Sequence, residues 1–311
     1  MKFSFTEDQR LLADTVREVL EKACTPEAVR AATRDDRPGP AWRALAEVGL
    51  FGAHIAEEHG GLGLTPLDTV LAYEQTGWFA APGPIVETAV AAPLVVAVGQ
   101  LPEIATGSLI VSARPAADPY LPDADLAALL VAGSALAPAD GVALTPHGSA
   151  DAARRLFTAE LEAAPDDPAA FDQAALATAA QLVGLGRRLR EEAVGYAGQR
   201  RQFGKVIGSF QALKHQLADV AIALEFAAPL VYRAAYSLAH GDPAASRDVS
   251  AAKNAASGAA HRAARTALQV HGAIGYTDEL DLQLWLNRVW GLRPAWGDDG
   301  FHRARLRDAL L

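Results

Sequence analysis

The residues best placed to do chemistry form one run, Arg200-Arg201-Gln202-Phe203-Gly204-Lys205-Val206-Ile207-Gly208-Ser209-Phe210-Gln211, which leads into Ala212-Leu213-Lys214-His215. Two guanidinium groups offer fixed forks of donors for phosphate, and Phe203 offers a flat apolar surface beside them. Gly204 and Gly208 permit turns that side chains hinder, and Ser209 stands where it could cap the helix that follows. This combination suits an anionic ligand with a planar ring; by residue type alone it equally suits an ordinary interhelical loop. A second glycine-containing run, Gln269-Val270-His271-Gly272-Ala273-Ile274-Gly275-Tyr276-Thr277, lies downstream. No metal-ligand spacing, Gly-x-Ser-x-Gly elbow or Walker sequence accompanies them.

The order of the letters separates the two readings. The first run resembles the Arg-x-x-Phe-Gly-x-x-Ile-x-x-Phe-Gln stretch of the acyl-CoA dehydrogenase family, which serves the flavin site of an adjoining subunit. The second resembles that family's Gln-x-x-Gly-Gly-x-Gly-Tyr segment, with Ala273 in place of its second glycine. The amino-terminal helices and the turn Glu57-Glu58-His59-Gly60-Gly61-Leu62-Gly63 are similar to the family as well. The resemblance implies that Arg200, Gln202, Phe203, Ile207, Phe210 and Leu213, facing Gln269, Gly272 and Ala273, contact the ADP half of an FAD whose ring lies on another chain.

The same resemblance implies a glutamate base at one of two positions, and neither holds one. Alignment from Gly275 reaches Trp296, followed by a matching Gly297, and alignment back from Val183 reaches Ala174. Asp298 and Asp299 are the nearest substitutes. Asp172 reads as a helix cap, Glu279 as an acid at a helix start where the dipole favours it, His271 as a packing or pyrophosphate neighbour, and His215 as a polar helix residue. The family's Thr-Glu-Pro-Gly-x-Gly-Ser-Asp segment and Trp-containing strand, which mark the flavin-ring platform, are missing; Ser112-Ala113-Arg114-Pro115 stands about where the former should begin.

Several elements must position these groups. Thr6 with Gln9 forms a capping-box pattern, and Leu12, Val16, Val19 and Leu20 recur at helical spacing. A second helix follows Pro40. Thr65-Pro66 reads as cap and first residue of a third, with Asp68 and Glu74 on its wetter side. The runs 108–112, 126–131 and 142–144 are short, apolar and bounded by turn formers, the pattern of strands. From 168 the chain is helical again. Gly184 and Gly186 imply close helix packing, Arg187 to Glu192 a solvated mixed-charge face, a helix over 210–240 is kinked at Pro229, and further helices cover 243–270 and 280–290. The expected architecture is mainly α and acyl-CoA dehydrogenase-like: a helical amino-terminal domain over 1–103, a reduced β middle domain over 104–165 and a carboxy-terminal four-helix bundle over 166–311.

The chain has 311 residues, half of them hydrophobic, and 28 basic against 37 acidic side chains for a net charge of -9. The acidic balance argues against general nucleic-acid binding. The single cysteine, Cys24, excludes an internal disulfide and fits a reducing cytoplasm. The opening Met1 to Phe5 shows no secretion signal, and Pro or Asp interrupts the apolar stretches near 86–101 and 125–137, so neither reads as a membrane span. Taken with the resemblance, these features imply a short subunit of a heteromeric, FAD-dependent acyl-CoA dehydrogenase, completing the site of a longer partner in an α2β2 tetramer. Its substrate would be an acyl-CoA thioester, with bulky steroid-derived ones suggested by similar short subunits. Two alternatives stand beside this: a self-sufficient homo-oligomer using Asp298 or another atypical base, and a non-catalytic acyl-CoA-binding or scaffold protein, for which the methyl at Ala273 is the pointer.

Overall fold

The computed structural model describes residues 4–34 and 37–311, so Met1 to Phe3 of the opening segment lie outside it. The amino-terminal helices are α1 (Glu7–Ala23), α2 (Pro26–Ala32), α3 (Gly39–Glu47), α4 (Pro66–Trp78) and α5 (Leu101–Ala105). Thr6 Oγ1 accepts from the Gln9 amide at 3.2 Å while the Gln9 side chain accepts from the Thr6 amide at 2.9 Å, closing the capping box. Gln9 also donates to Asp68 at 2.9 Å, and Asp68 accepts from the Thr65 amide at 2.9 Å, so the starts of α1 and α4 are tied together.

After α5 the chain forms six short strands, β1 (Val111–Arg114), β2 (Leu121–Pro122), β3 (Leu129–Ala132), β4 (Ala135–Pro138), β5 (Leu144–His147) and β6 (Leu156–Ala159). They make two three-stranded sheets, ordered β1-β3-β4 and β2-β6-β5. Strand β1 runs parallel to β3, pairing Val111 with Leu129, and the remaining pairings are antiparallel. All four residues of β1 and of β3 are buried, and the apolar runs 108–112 and 126–131 each begin three residues ahead of the strand they announce. Strands β2, β4 and β6 escape the sequence reading because they are short or only half-buried.

The carboxy-terminal part comprises α6 (Pro168–Gln199), the hairpin β7 (Arg201–Gln202) and β8 (Lys205–Val206), α7 (Gln211–Ala239), α8 (Ala245–His271), α9 (Leu282–Leu292) and α10 (Asp299–Leu310). Helix α6 is 32 residues long, about 48 Å, and packs against α4, α7, α8 and α9 to form the bundle, while α10 lies against α8. A single helix, α7, continues through Pro229. No helix among the described residues is long and apolar enough to cross a membrane.

Helices α4 and α6 touch backbone to backbone. A Cβ at Gly77 would fall 2.0 Å from the Gln181 carbonyl oxygen, and one at Gly184 would fall 1.9 Å from that of Glu74, so only glycine permits the approach. That contact corrects one expectation. Glu74 is not on a wet face: it is 2% exposed, paired with Arg187 and accepting from the Tyr232 hydroxyl at 2.7 Å. Arg187 is thereby drawn inward from the expected solvated face, and the Arg188 guanidinium lies 4.7 Å above the Trp285 ring.

Candidate functional site

At the end of α6 the backbone turns into the β7–β8 hairpin, pairing Arg201 with Val206 and Gln202 with Lys205. Its two tip residues, Phe203 and Gly204, both have positive φ, 52° and 78°. This is the two-residue turn whose twist matches paired strands, and it favours Asn-Gly. Phenylalanine in the first position carries a steric cost, and its ring is 89% exposed. Beneath it, Lys205 Nζ sits 4.2 Å from the Phe210 ring centroid. The expected cap at Ser209 does not form: its hydroxyl donates instead to the Val206 carbonyl at 2.7 Å, within the short 3-10 turn Ile207–Ser209, and Phe210 takes the cap position without a side-chain bond. The first amides of α7 therefore carry no side-chain acceptor.

The facing wall is the end of α8. The His271 ring stacks on Tyr196 at 4.2 Å, and its Nδ1 lies 2.7 Å from the Ala267 carbonyl oxygen. Gly272 ends the helix at φ 66°, ψ −143°, a conformation that side chains disfavour. Between the walls lies a cleft of about 530 Å³ lined by Arg200, Gln202, Phe203, Ile207, Phe210 and Leu213 on one side and Gln269 and Ala273 on the other. Eight of the nine sequence-derived positions thus share one cleft; Gly272 shapes its wall from the backbone. Arg200, Arg201 and Lys205 are in no ion pair among the described residues. Uncompensated cations, the positive end of α7 and a rim of aromatic rings fit an anionic, ring-bearing ligand such as a dinucleotide. His215 is exposed on α7 and does not line this cleft.

The two base positions have a different character. Ala174 is fully buried in α6, and Trp296 is 5% exposed at φ 55°, edge-on to Phe171 with ring centroids 6.2 Å apart. Asp298 caps α10, accepting from the Phe301 amide at 2.7 Å, and Asp299 is paired with Arg293. Asp172 is not a helix cap; Asp167 takes that role at 2.8 Å from the Ala170 amide, while Asp172 is buried and binds Arg305 at 2.8 Å and Ser246. Glu279 lies in a turn three residues short of α9. Where the flavin platform should begin, the buried Arg114 guanidinium donates to the carbonyls of Pro115 and Ala116 at 3.3 Å, Asp118 at 2.5 Å and Leu161 at 3.3 Å, tying that loop to itself.

Sequence reasoning missed Lys253, which is 1% exposed on α8. Its Nζ donates to the carbonyls of Arg293 at 2.9 Å and Gly297 at 3.1 Å, and the His302 ring lies 2.9 Å from the Trp296 carbonyl. Burial pushes the Lys253 pKa down to about 7, opposed by the charges of Asp299 and Asp298, and burial with the Lys253 charge brings that of His302 down to about 4. A lysine in an alanine-rich helix reads as a surface residue, so no local signal marked it.

The descriptions that match this chain are the acyl-CoA dehydrogenase N-terminal domain, over residues 6–101, and the acyl-CoA dehydrogenase C-terminal domain, over residues 168–311. Acyl-CoA dehydrogenase IpdE2 of Mycolicibacterium smegmatis is 33% identical over 299 residues, covering 92% of this chain and 93% of that one. Among solved structures, one from the ChsE4-ChsE5 complex of Mycobacterium tuberculosis superposes with a TM-score of 0.85 at 22% identity, over 100% of this chain and 99% of that chain. The Tcur3481-Tcur3483 steroid ACAD G363A variant does so at 0.84 and 23%, over 98% of each. At these identities the two structures speak to the fold alone.

Proposed function

The chain belongs to the acyl-CoA dehydrogenase family, and from that premise we propose that it is the shorter subunit of a heteromeric, FAD-dependent acyl-CoA dehydrogenase. In this reading it pairs with a longer subunit as an α2β2 tetramer and completes that partner's cofactor site. The carrying observation is a contrast within one molecule: the dinucleotide-type cleft is open and unpaired in charge, whereas both base positions are filled by an alanine methyl and an indole inside packed structure. FAD, when bound, accepts hydride from the β-carbon of an acyl thioester. This chain's share is binding the ADP half: Arg200 would neutralise phosphate, Phe203 and Phe210 would cover the adenine, and Gln269 with the Gly272–Ala273 backbone would close the other side. The general base and the thioester-polarising groups belong to the partner. The likeness to the ChsE4-ChsE5 complex supports a second subunit, and that to the Tcur3481-Tcur3483 steroid ACAD supports a bulky, steroid-derived acyl-CoA as substrate.

The test is co-expression with a longer acyl-CoA dehydrogenase subunit encoded nearby. The expected product is a yellow complex that is bleached by acyl-CoA, while the chain expressed alone is colourless or inactive. A yellow, acyl-CoA-reducible protein from this chain alone would overturn the reading in favour of a self-sufficient enzyme. The engagement of Asp298 in a helix cap and of Asp299 in an ion pair weighs against that alternative.

A further inference from the structure

Helix α7 buries one face and leaves another without a partner. Val220, Leu224, Ala227, Val231 and Ala234 are buried in the bundle, whereas Ile222 is 54% exposed, Phe226 75% and Leu230 40%. Asp219 and Arg233 stand at the two ends of this apolar trio and are exposed as well. At about 3.6 residues per turn the five fall within about 80° of the helix circumference. They follow one another in steps of three, four, four and three, the spacing of the seam between paired helices. Leu213, which lines the cofactor cleft, lies on another face of the same helix, about 140° round. A contiguous exposed apolar stripe rimmed by charge marks a protein contact.

The order of the stripe says what fits it. Ile222 and Leu230 lie four residues either side of Phe226, and Asp219 and Arg233 lie seven residues either side. A two-fold axis through Phe226, with a second α7 running antiparallel, therefore sets Phe226 on its own copy, Ile222 against Leu230 and Asp219 against Arg233, the last two pairs each occurring twice. Parallel pairing would instead oppose like charges at both ends. A closed dimer needs a surface complementary to itself under a two-fold axis, and this stripe is so in both its apolar and its charged positions. Arg233 is held in place by Asp248, which accepts from Nε at 3.1 Å, and by Asp242, which accepts from Nη2 at 2.8 Å; its Nη1 has no acceptor among the described residues. Asp219 is in no ion pair among the described residues. Because Arg247 also pairs with Asp248, the acids and bases around Arg233 balance. Asp219 of a second copy then contributes register, and the apolar trio contributes the affinity.

We propose that the outer face of α7 is a self-association surface, on which two copies of this chain pair antiparallel about a two-fold axis at Phe226. In the heteromeric reading this contact joins the two short subunits of the α2β2 tetramer. It stands without the longer subunit, since both halves of the contact come from this chain.

Sedimentation velocity of the full chain, expressed alone, should show a reversible monomer–dimer equilibrium. Phe226→Glu alters a largely exposed side chain, so the circular-dichroism spectrum should hold, while the dimer weakens roughly 100-fold or more because the substitution enters a two-fold contact twice. Asp219→Arg, which would face Arg233 of the other copy, should weaken it roughly tenfold, and less at high salt. Disulfide formation reads the register. Cys24 is buried, so Phe226→Cys alone should crosslink under mild oxidation, Ile222→Cys or Leu230→Cys alone should not, and a mixture of those two should. The same cysteine variants co-expressed with the longer subunit read the contact inside the complex, so a missing complex and a missing self-contact give different results. A chain that neither dimerises alone nor crosslinks in the complex, a dimer indifferent to Phe226→Glu, or crosslinking through Ile222→Cys alone would each overturn the proposal. Loss of the longer subunit on Phe226→Glu, with no crosslink between copies, would overturn it by assigning the face to that subunit.

Discussion

Phe203 adopts a backbone conformation that suits asparagine, and it exposes nearly its whole ring to solvent. A residue so placed has no folding role that explains it; a ligand or neighbouring chain covering the ring would. Phe203→Asn separates the two demands: the hairpin turn relaxes, so the thermal midpoint of the isolated chain should hold or rise, while the flavin content of the complex falls. A loss of stability with unchanged flavin would show that the ring serves the fold instead. Arg200 presents the complementary case, since it pairs with no acid among the described residues. Arg200→Ala should remove a charge-assisted contact of about 1.5–3 kcal/mol once the ligand desolvates it, weakening FAD retention tenfold or more. Flavin retention measured by absorbance after gel filtration checks both. That these residues share one cleft was legible because they lie close in local order along the chain, whereas Glu74, Arg187 and Asp172 were misplaced because their partners come from elements more than 70 residues away.

At the scale of elements, sequence signals were strongest where one short segment carries its own stop or start. The Thr6 capping box and the Thr65-Pro66 start of α4 are such cases. Ser209 failed as a cap because the 3-10 turn Ile207–Ser209 places it one residue ahead of the N-cap, which is Phe210, and its hydroxyl donates to the Val206 carbonyl within that turn. The connection from α9 to α10 was opaque for another reason: it is held from beneath by Lys253 of α8, through two carbonyls of the connection itself. That anchor has a pH signature. Its folded pKa of about 7 is below the ordinary lysine value of 10.5, so between these values the unfolded chain binds more protons than the native one. Stability from this group is present in full above the unfolded value and is lost as pH falls toward 7. The wild-type thermal midpoint should therefore rise between pH 7 and 10, with a slope of at most about 1.4 kcal/mol per pH unit from this lysine. Lys253→Met should flatten that rise. The charges of Asp299 and Asp298 favour the protonated lysine and those of Arg293 and Arg154 oppose it, and a slope unchanged in the methionine variant would show that Lys253 is not the source of the rise.

For the whole molecule, the strand segment is two small sheets rather than a broad platform, and Arg114 ties shut the loop where a platform would start. The helical body, by contrast, is complete and presents its charged, aromatic cleft outward. Such a division makes sense if a second chain brings the ring site and the base. The prediction that decides it concerns Asp298 and Asp299, the two acids nearest a vacant base position. Asparagine caps helices as well as aspartate does, so Asp298→Asn keeps the start of α10; Asp299→Asn gives up an ion pair with the partly exposed Arg293, and the two changes together remove the acidic charges that favour protonated Lys253. The double variant, co-expressed with the longer subunit, should fold, retain flavin and still be bleached by acyl-CoA at a near wild-type rate. If either acid were the base, bleaching would slow by about 10²–10⁴ with flavin content unchanged, and the chemistry would have to be returned to this chain.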